Sequence, residues 1–336
     1  MRAVLIRDLG EKGFVRWLGR YGPPAGRRDD TGIGDDAAVI RLEGGCDLLL
    51  ACDAVVEGVH FQRELFSPAD VGFKAVAVAL SDIAAMGGEP LGFTVALGLP
   101  EDLEFAWVEG FYAGIEALTA QTGGYLAGGD TVRSPVLFAD VAVTGRVEAG
   151  RAVRRAGARP GDLVLVTGEV GEAAAGLEAM QAGGGPGVGL AQRRPRPLLR
   201  EGRLIAAAGA TAMVDLSDGL AAGAVELALA GRVEIVLEGK SIPLGPSLRV
   251  GGAQGRGGPR GLRRLRLALY GGEDYQLLFT LPGERAAGLV ERMRAATGTP
   301  LTVIGRVRDG EGAWLAAGGR EMSLDEGYDP FRRFEP

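Results

Sequence analysis

The stretch that most constrains this chain is Gly124-Tyr-Leu-Ala-Gly-Gly-Asp-Thr-Val-Arg133. A short apolar run, Tyr125 to Ala127, reads as a strand end and empties into Gly128 and Gly129, with Asp130 and Thr131 directly after. Adjacent glycines let a backbone turn or approach a ligand where a Cβ would clash. A carboxylate and a hydroxyl beside them can hold a hard cation next to phosphate oxygens. A Gly-Gly turn capped by an Asx hydrogen bond has the same signature, so the motif needs partners before it means chemistry. The theme recurs in Gly32-Ile-Gly-Asp-Asp36, Asp215-Leu-Ser-Asp-Gly219 and Gly271-Gly-Glu-Asp274.

Between these turns the pattern alternates. A short amphipathic helix is expected over 5–20, a Gly/Pro loop over 21–30, and strands over 37–40 and 48–52. Pro68 to Gly87 is the clearest helix: Val76, Ala79, Leu80, Ile83 and Met86 form an apolar stripe, Gly87-Gly88 ends it, and Lys74, Ser81 and Asp82 fall on a face free for solvent or ligand. Strands at 91–97 and 136–147 flank a helix at 101–121. An Arg-, Gly- and Pro-rich stretch at 148–161 marks a boundary, giving domains 1–148 and 149–336. In the second half, strands are expected at 162–167, 233–237, 276–281 and 301–307. Helices are expected at 172–181, 199–208, 284–296 and from Gly219 to about Leu229. Residues 250–266 read as a flexible basic insertion.

With 46% hydrophobic and 24% charged residues the composition is globular. A net charge of −6 gives no general attraction to nucleic acid or to an acidic membrane. Cys46 and Cys52 form no CxxC pair, which suits a reducing cytosol. The amino-terminal run turns polar too early for a signal peptide, and no apolar run is long enough for a membrane helix. A soluble cytoplasmic protein is expected.

Asp35, Asp36, Asp53, Asp82, Asp130, Asp215 and Asp218 all fall at element ends or off an apolar face. Each alone reads equally as a cap or a solvated acid. Brought together, they repel one another and call for cations. One histidine and no paired cysteines serve zinc, copper and iron poorly, whereas oxygen ligands suit magnesium beside a polyphosphate. His60 reads as a structural imidazole or a ligand contact, and Cys52 as a small buried apolar residue rather than a nucleophile. The arginines at 151–159 read as a solvated linker or as a phosphate clamp. Neither a GxxxxGK[ST] loop nor an HRD/DFG set is present, so the common ATP-binding designs are absent.

Taken in order, Gly32-Ile-Gly-Asp-Asp36, Asp53 with Glu57-Gly-Val-His-Phe61, Leu80-Ser-Asp-Ile-Ala-Ala-Met-Gly87, Gly128-Gly-Asp-Thr131, Asp215-Leu-Ser-Asp-Gly219, Gly271-Gly-Glu-Asp-Tyr275 and Gly327-Tyr-Asp-Pro-Phe331 resemble the thiamine-monophosphate kinase family, of the aminoimidazole ribonucleotide synthetase-like superfamily. The resemblance spans essentially the whole chain. It implies a two-domain α/β fold, with a dimer-forming β-sheet in the N-terminal half and an α/β domain in the C-terminal half. It implies a homodimer, and transfer of the γ-phosphoryl of ATP to thiamine phosphate with several magnesium ions. On the matching positions, Asp36, Cys52, Asp53, Asp82, Asp130, Asp215 and Asp218 would form the metal set, and Gly129, Asp130, Arg155 and Ser217 the nucleotide site. His60, Glu273 and Tyr328 would line the thiamine phosphate site, and Asp130 with Arg155 would serve the transfer itself.

One departure stands out: the family carries Ser/Thr-Thr where this chain has Ala51-Cys52, which exchanges one hydroxyl for a thiol that suits magnesium poorly. The acceptor is a phosphate oxygen already ionised near neutral pH, so direct in-line transfer needs no strong general base. Two rivals remain at this level. One is another enzyme of the superfamily, such as an aminoimidazole ribonucleotide synthetase or a hydrogenase-maturation dehydratase, although the tail lacks the cysteine the latter needs. The other is a nucleotide-binding regulatory module.

Overall fold

The structure is a computed structural model describing residues 5–21, 32–185, 187–249 and 259–324. The loop expected at 21–30 and the Gly327–Phe331 motif, with Tyr328, therefore lie almost wholly or wholly outside the described residues.

The first part of the chain runs α1 (Ile6–Leu18), β1 (Ala38–Arg41), β2 (Cys46–Val56), α2 (Pro68–Ala85), β3 (Glu89–Leu99), α3 (Phe105–Thr122), β4 (Leu126–Arg133) and β5 (Phe138–Glu148). Its strands form one sheet in the order β1-β2-β5-β3-β4, antiparallel except for the parallel β3–β4 pair. The second part runs β6 (Leu163–Thr167), α4 (Glu172–Gln181), α5 (Leu190–Arg193), α6 (Leu199–Ala207), β7 (Ala212–Asp215), α7 (Leu220–Gly231), β8 (Glu234–Glu238) and α8 (Pro246–Arg249). It continues through α9 (Pro259–Tyr270), β9 (Leu277–Leu281), α10 (Gly283–Thr297), β10 (Leu301–Arg308), β11 (Gly312–Ala317) and β12 (Arg320–Ser323). These strands build a second sheet in the order β12-β11-β8-β10-β6-β9-β7. The fold is the expected α/β one, with a sheet in each half.

Helix α2 is the centre of the packing. Ser67 and Asp70 close a reciprocal cap at 3.2 Å in each direction, with Pro68 in the first turn. The helix packs on β2 and β5 of its own sheet, on α3 beside it, and on α6 and β7 of the second half. It is buried on nearly every side, Lys74 and Ser81 included. Of the two alternatives for the face of Lys74, Ser81 and Asp82, solvent or ligand, this removes the solvent one for Lys74 and Ser81. The apolar stripe packs on the first sheet's side, and the second half of the chain covers the polar residues. A helix buried all round is what two flanking layers produce.

Two further expectations change. Gly128 and Gly129 do not form a turn; they sit within β4, an edge strand exposed along its whole length. The basic stretch near 266 is not all loop, because Pro259–Tyr270 is helical. The β11–β12 hairpin was not foreseen, because β11 is Gly- and Ala-rich, β12 has four residues, and neither carries much periodicity. Among the described residues, no helix is long and apolar enough to cross a membrane.

The α2–α3 contact is close because Gly72 lies against the backbone of Phe111: a Cβ there would come within 1.9 Å of the Phe111 carbonyl oxygen. Gly72→Ala should therefore force the helices apart and cost about 1–3 kcal/mol of stability. A chemical denaturation midpoint equal to that of the parent would contradict this packing.

Candidate active site

The carboxylates of Asp36, Asp82 and Asp215 converge, each offering an oxygen within 4.8 Å of the others. They arrive from three elements. Asp36 precedes β1, Asp82 lies in the last turn of α2, and Asp215 ends β7 in the second sheet. Ser81, next to Asp82 on the buried helix, donates its hydroxyl to Asp215 Oδ2 at 2.6 Å. Asp36 Oδ1 accepts from the Arg155 guanidinium at 2.7 Å, and the same guanidinium reaches Glu226 on α7 at 3.3 Å. Asp36 Oδ2 is buried with no hydrogen-bond partner among the described residues. A buried carboxylate oxygen left unpaired is costly, and this one belongs to the group whose neighbours are also carboxylates.

The electrostatics follow from that crowding. Burial, with Asp53, Asp215 and Asp36 nearby, pushes the Asp82 carboxyl well above its usual range. Burial and then Asp36 do the same to Asp215. Burial raises Asp36 too, although Arg155 opposes it. Asp35, whose Oδ1 accepts the backbone N–H of Arg155 at 3.0 Å, rises to about 6 through burial and its neighbour Asp36. For Arg155, burial works against the charge, but Asp36 and Glu226 outweigh it and hold the guanidinium firmly protonated. Arg155 is thus the counter-cation of the acid group and not the solvated linker residue that its surroundings in sequence suggest. Without a further cation the three acids cannot all ionise cheaply. An all-oxygen donor set with one orphaned oxygen fits a hard divalent ion such as magnesium.

Strand register decides where the other predicted residues stand. Asp53 pairs with Val141, Val141 with Val95, and Val95 with Gly129, so this row faces α2. The next row, Ala54–Asp140–Ala96–Asp130, faces the opposite side of the sheet. Asp53 thus lies on the side of Asp36, Asp82 and Asp215, and burial with Asp140 and Glu11 raises it to about 7. Asp130 lies on the other face, three strands away, or roughly 14 Å at the usual strand spacing. It is exposed, and its Oδ1 accepts from Thr131 N at 2.8 Å. Asp130 is therefore not brought to the acid group of its own chain, contrary to the expectation that it joins Asp36, Asp53, Asp82 and Asp215. Gly129 is required where it stands, since a Cβ would lie 1.9 Å from the Val95 carbonyl oxygen. Cys52 also departs from expectation: it is exposed, on the face away from Asp53. Burial of its sulfur with Asp140 and Asp53 nearby raises the thiol pKa, which keeps it protonated.

A second pole forms where α2 meets the Gly271–Tyr275 loop. Glu273 adopts a left-handed backbone (φ 57°), and its N–H donates to the Ser217 carbonyl at 2.6 Å. Asp274 anchors the loop by accepting from the backbone of Gly171 and, at 3.1 Å, of Ala173. The Glu273 carboxylate meets the Lys74 ammonium at 2.7 Å and also accepts from Gln192. His60 Nδ1 accepts from Val56 N at 3.1 Å, which leaves its proton on Nε2, and burial lowers its pKa so that the ring stays neutral. Ser217 is exposed beside this pole. Asp218 is raised to about 7 by burial with Glu11 and Glu226 nearby, but it stands apart from the group of three. Sequence reasoning missed Gln192 and Glu226, and placed Lys74 on a face free for solvent or ligand without foreseeing its burial against Glu273. The available signal for Lys74 was one lysine in an otherwise apolar helix.

Comparison with known proteins identifies the family and the fold. Residues 34–147 match the model of the AIR synthase related protein N-terminal domain, and residues 159–315 match that of the C-terminal domain. The thiamine-monophosphate kinase of Salmonella typhimurium is 37% identical over 90% of this chain and 92% of its own. That of Synechococcus elongatus is 32% identical over 97% and 98% respectively. The solved structure "AaThiL complexed with AMPPCP and TMP" superposes with a TM-score of 0.83 at 33% identity, covering 98% of this chain and all of that one.

The raised carboxyls set a pH dependence. In the folded state Asp35 titrates near 6 and Asp53 and Asp218 near 7, against 3.8 when unfolded. Between those values these groups hold more protons in the folded chain, so without divalent cations their contribution to stability is complete below about 4 and is lost as pH rises towards about 7. Thermal melts in EDTA should show the midpoint falling across that window and recovering at neutral pH when magnesium is added. A midpoint that climbs from acid to neutral pH in EDTA contradicts the assignment.

Proposed function

This chain belongs to the thiamine-monophosphate kinases of the AIR synthase related family, and we propose that it makes thiamine diphosphate from thiamine phosphate and ATP by direct, in-line transfer assisted by magnesium. The observation that carries the metal-assisted reading is the convergence of Asp36, Asp82 and Asp215 with an unpartnered, buried Asp36 oxygen. Magnesium ions held there by these carboxylates, with Asp53 beside them and Asp218 for a further ion, would neutralise the polyphosphate and polarise its oxygens.

The chain's own groups do the rest. Arg155 offsets the acid group and keeps a fixed positive charge at the phosphate end, contributing by electrostatic preorganisation rather than by proton transfer. Gly129, Arg155 and Ser217 hold the nucleotide. His60, through its Nε2–H, and Glu273, through its carboxylate, receive thiamine phosphate, with Tyr328 completing that site. The acceptor oxygen is already ionised, so the residues need only align it with the γ-phosphorus. A cytoplasmic location belongs to the same proposal and is supported by two cysteines that form no disulfide.

The working unit is proposed to be a homodimer built on the first sheet. Two features support this: the fully exposed edge strand β4, and a sheet face of small residues, Cys52, Ala54 and Thr94 among them, that is open to solvent in the single chain. A second copy on that face would bring its own Asp130 towards the metal group from which the chain's Asp130 is separated by its register.

Coupled ADP release with ATP, magnesium and thiamine phosphate tests the activity. Asp82→Asn should lower kcat by about 100-fold or more while retaining the fold; parental turnover would remove the acid group from the mechanism. Mixing inactive Asp82→Asn and Asp130→Asn chains should restore activity if Asp130 acts across the interface, since one site of each mixed dimer then has both residues. A mixture as inactive as its components assigns Asp130 to its own chain.

A further inference from the structure

Lys74 is among the largest fully buried side chains of the described residues, 1% exposed, and it carries a charge. Its three donors are accounted for. Two reach Glu273, at 2.7 and 2.9 Å to the two carboxylate oxygens, and one reaches the main-chain oxygen of His60 at 3.2 Å. The ring of Phe66 lies 5.4 Å away on another side. One ammonium thus ties the loop that carries His60, in the first half of the chain, to the carboxylate of Glu273 in the second.

We propose that Lys74 is the positioning residue of the thiamine phosphate site, with buried Gln192 steadying Glu273 from the second side. The proposal rests on the reading that His60 and Glu273 receive that substrate. A buried lysine in an apolar helix is expensive unless it is fully paired, and here the pairing partners are the two recognition residues. The Glu273 side chain keeps a quarter of its surface exposed, so its remaining lone pairs face outward. A carboxylate locked on Lys74 and Gln192 stays an acceptor of fixed direction, suited to an exocyclic amino group or to the neighbourhood of a cationic ring. Glu273 itself is held in a left-handed backbone by the Asp274 anchor, so the loop's conformation and the carboxylate's direction are fixed together. Lys74 does not touch the substrate; it acts through the two residues that do.

Steady-state kinetics and calorimetric titration of the full-length protein with thiamine phosphate test this. Lys74→Met should raise the KM and Kd for thiamine phosphate roughly ten- to hundredfold, as expected for loss of charged hydrogen bonds, with the KM for ATP unchanged. Glu273→Gln should also raise the KM for thiamine phosphate, and the double variant should fall well short of the product of the two single effects, because both remove the Lys74–Glu273 contact. Unchanged thiamine phosphate affinity in Lys74→Met, a fall in kcat with both KM values unmoved, or effects that simply add in the double variant would overturn the proposal. Should Lys74→Met fail to fold, Lys74→Arg, which keeps the charge but not the geometry of the three contacts, is measured instead, and an unchanged KM and Kd for thiamine phosphate is the refuting result. A parent protein that neither binds nor phosphorylates thiamine phosphate overturns the substrate assignment and this proposal with it. A parent that binds normally beside an unaffected Lys74→Met overturns this proposal alone.

Discussion

The structure depends on a helix buried on nearly every side that must nevertheless carry charge. Along α2, the residues facing the first sheet are apolar, but Lys74, Ser81 and Asp82 point towards the second half of the chain. Lys74 and Ser81 are satisfied by partners from that half, Glu273 and Asp215, whereas Asp82 meets Asp215 in the crowded acid group. Buried polar groups leave little freedom, since an unpaired one costs more than a paired one gains. The two halves are therefore held in register by the same contacts that build the site. On the proposed reading the helix has a recognition end at Lys74 and a phosphate end at Ser81–Asp82, seven to eight residues apart, or about 11 Å along the axis.

Arg155 shows how the acid group is tolerated. It follows β5 and lies in the linker between the sheets, where its backbone N–H binds Asp35 and its guanidinium binds Asp36 and Glu226. A linker residue thereby becomes a clamp across three segments. One fixed cation does not balance Asp36, Asp53, Asp82 and Asp215, and the remaining imbalance appears as raised carboxyl pKa values. That imbalance is what a metal-dependent site stores when it is preorganised for ions of opposite charge.

How far the sequence was legible follows from the kind of signal each residue leaves. Helix α2 read directly, because its apolar periodicity and its Ser67–Asp70 cap are local properties. Asp36, Asp82 and Asp215 were found as acids at element ends, and their meeting depends on tertiary contacts that the family motifs encode and periodicity does not. Lys74 was misassigned to a free face because helical spacing identifies one packed side and says nothing of a second layer on the other. The Gly128–Gly129 pair was read as a turn because glycine marks both turns and close strand approach. Only the neighbouring Val95 carbonyl distinguishes them.

Strand alternation carries the argument furthest at Ala51-Cys52-Asp53. Successive side chains of β2 point to opposite faces, so Ala51 and Asp53 turn towards α2 while Cys52 turns to the open face with Ala54. The two positions that depart from the family's hydroxyl pair therefore serve different surroundings. At 51, a small methyl fits beneath α2, where it is 8% exposed, and the carboxylate two residues on keeps its direction. At 52, a thiol held protonated by its burial and by Asp140 and Asp53 is a neutral, soft group on the face proposed to meet a second copy. A hard cation there must draw its oxygens from elsewhere. Two residues along the same face from Cys52, the row through Ala54 ends at Asp130, so the thiol and that carboxylate stand on one open face.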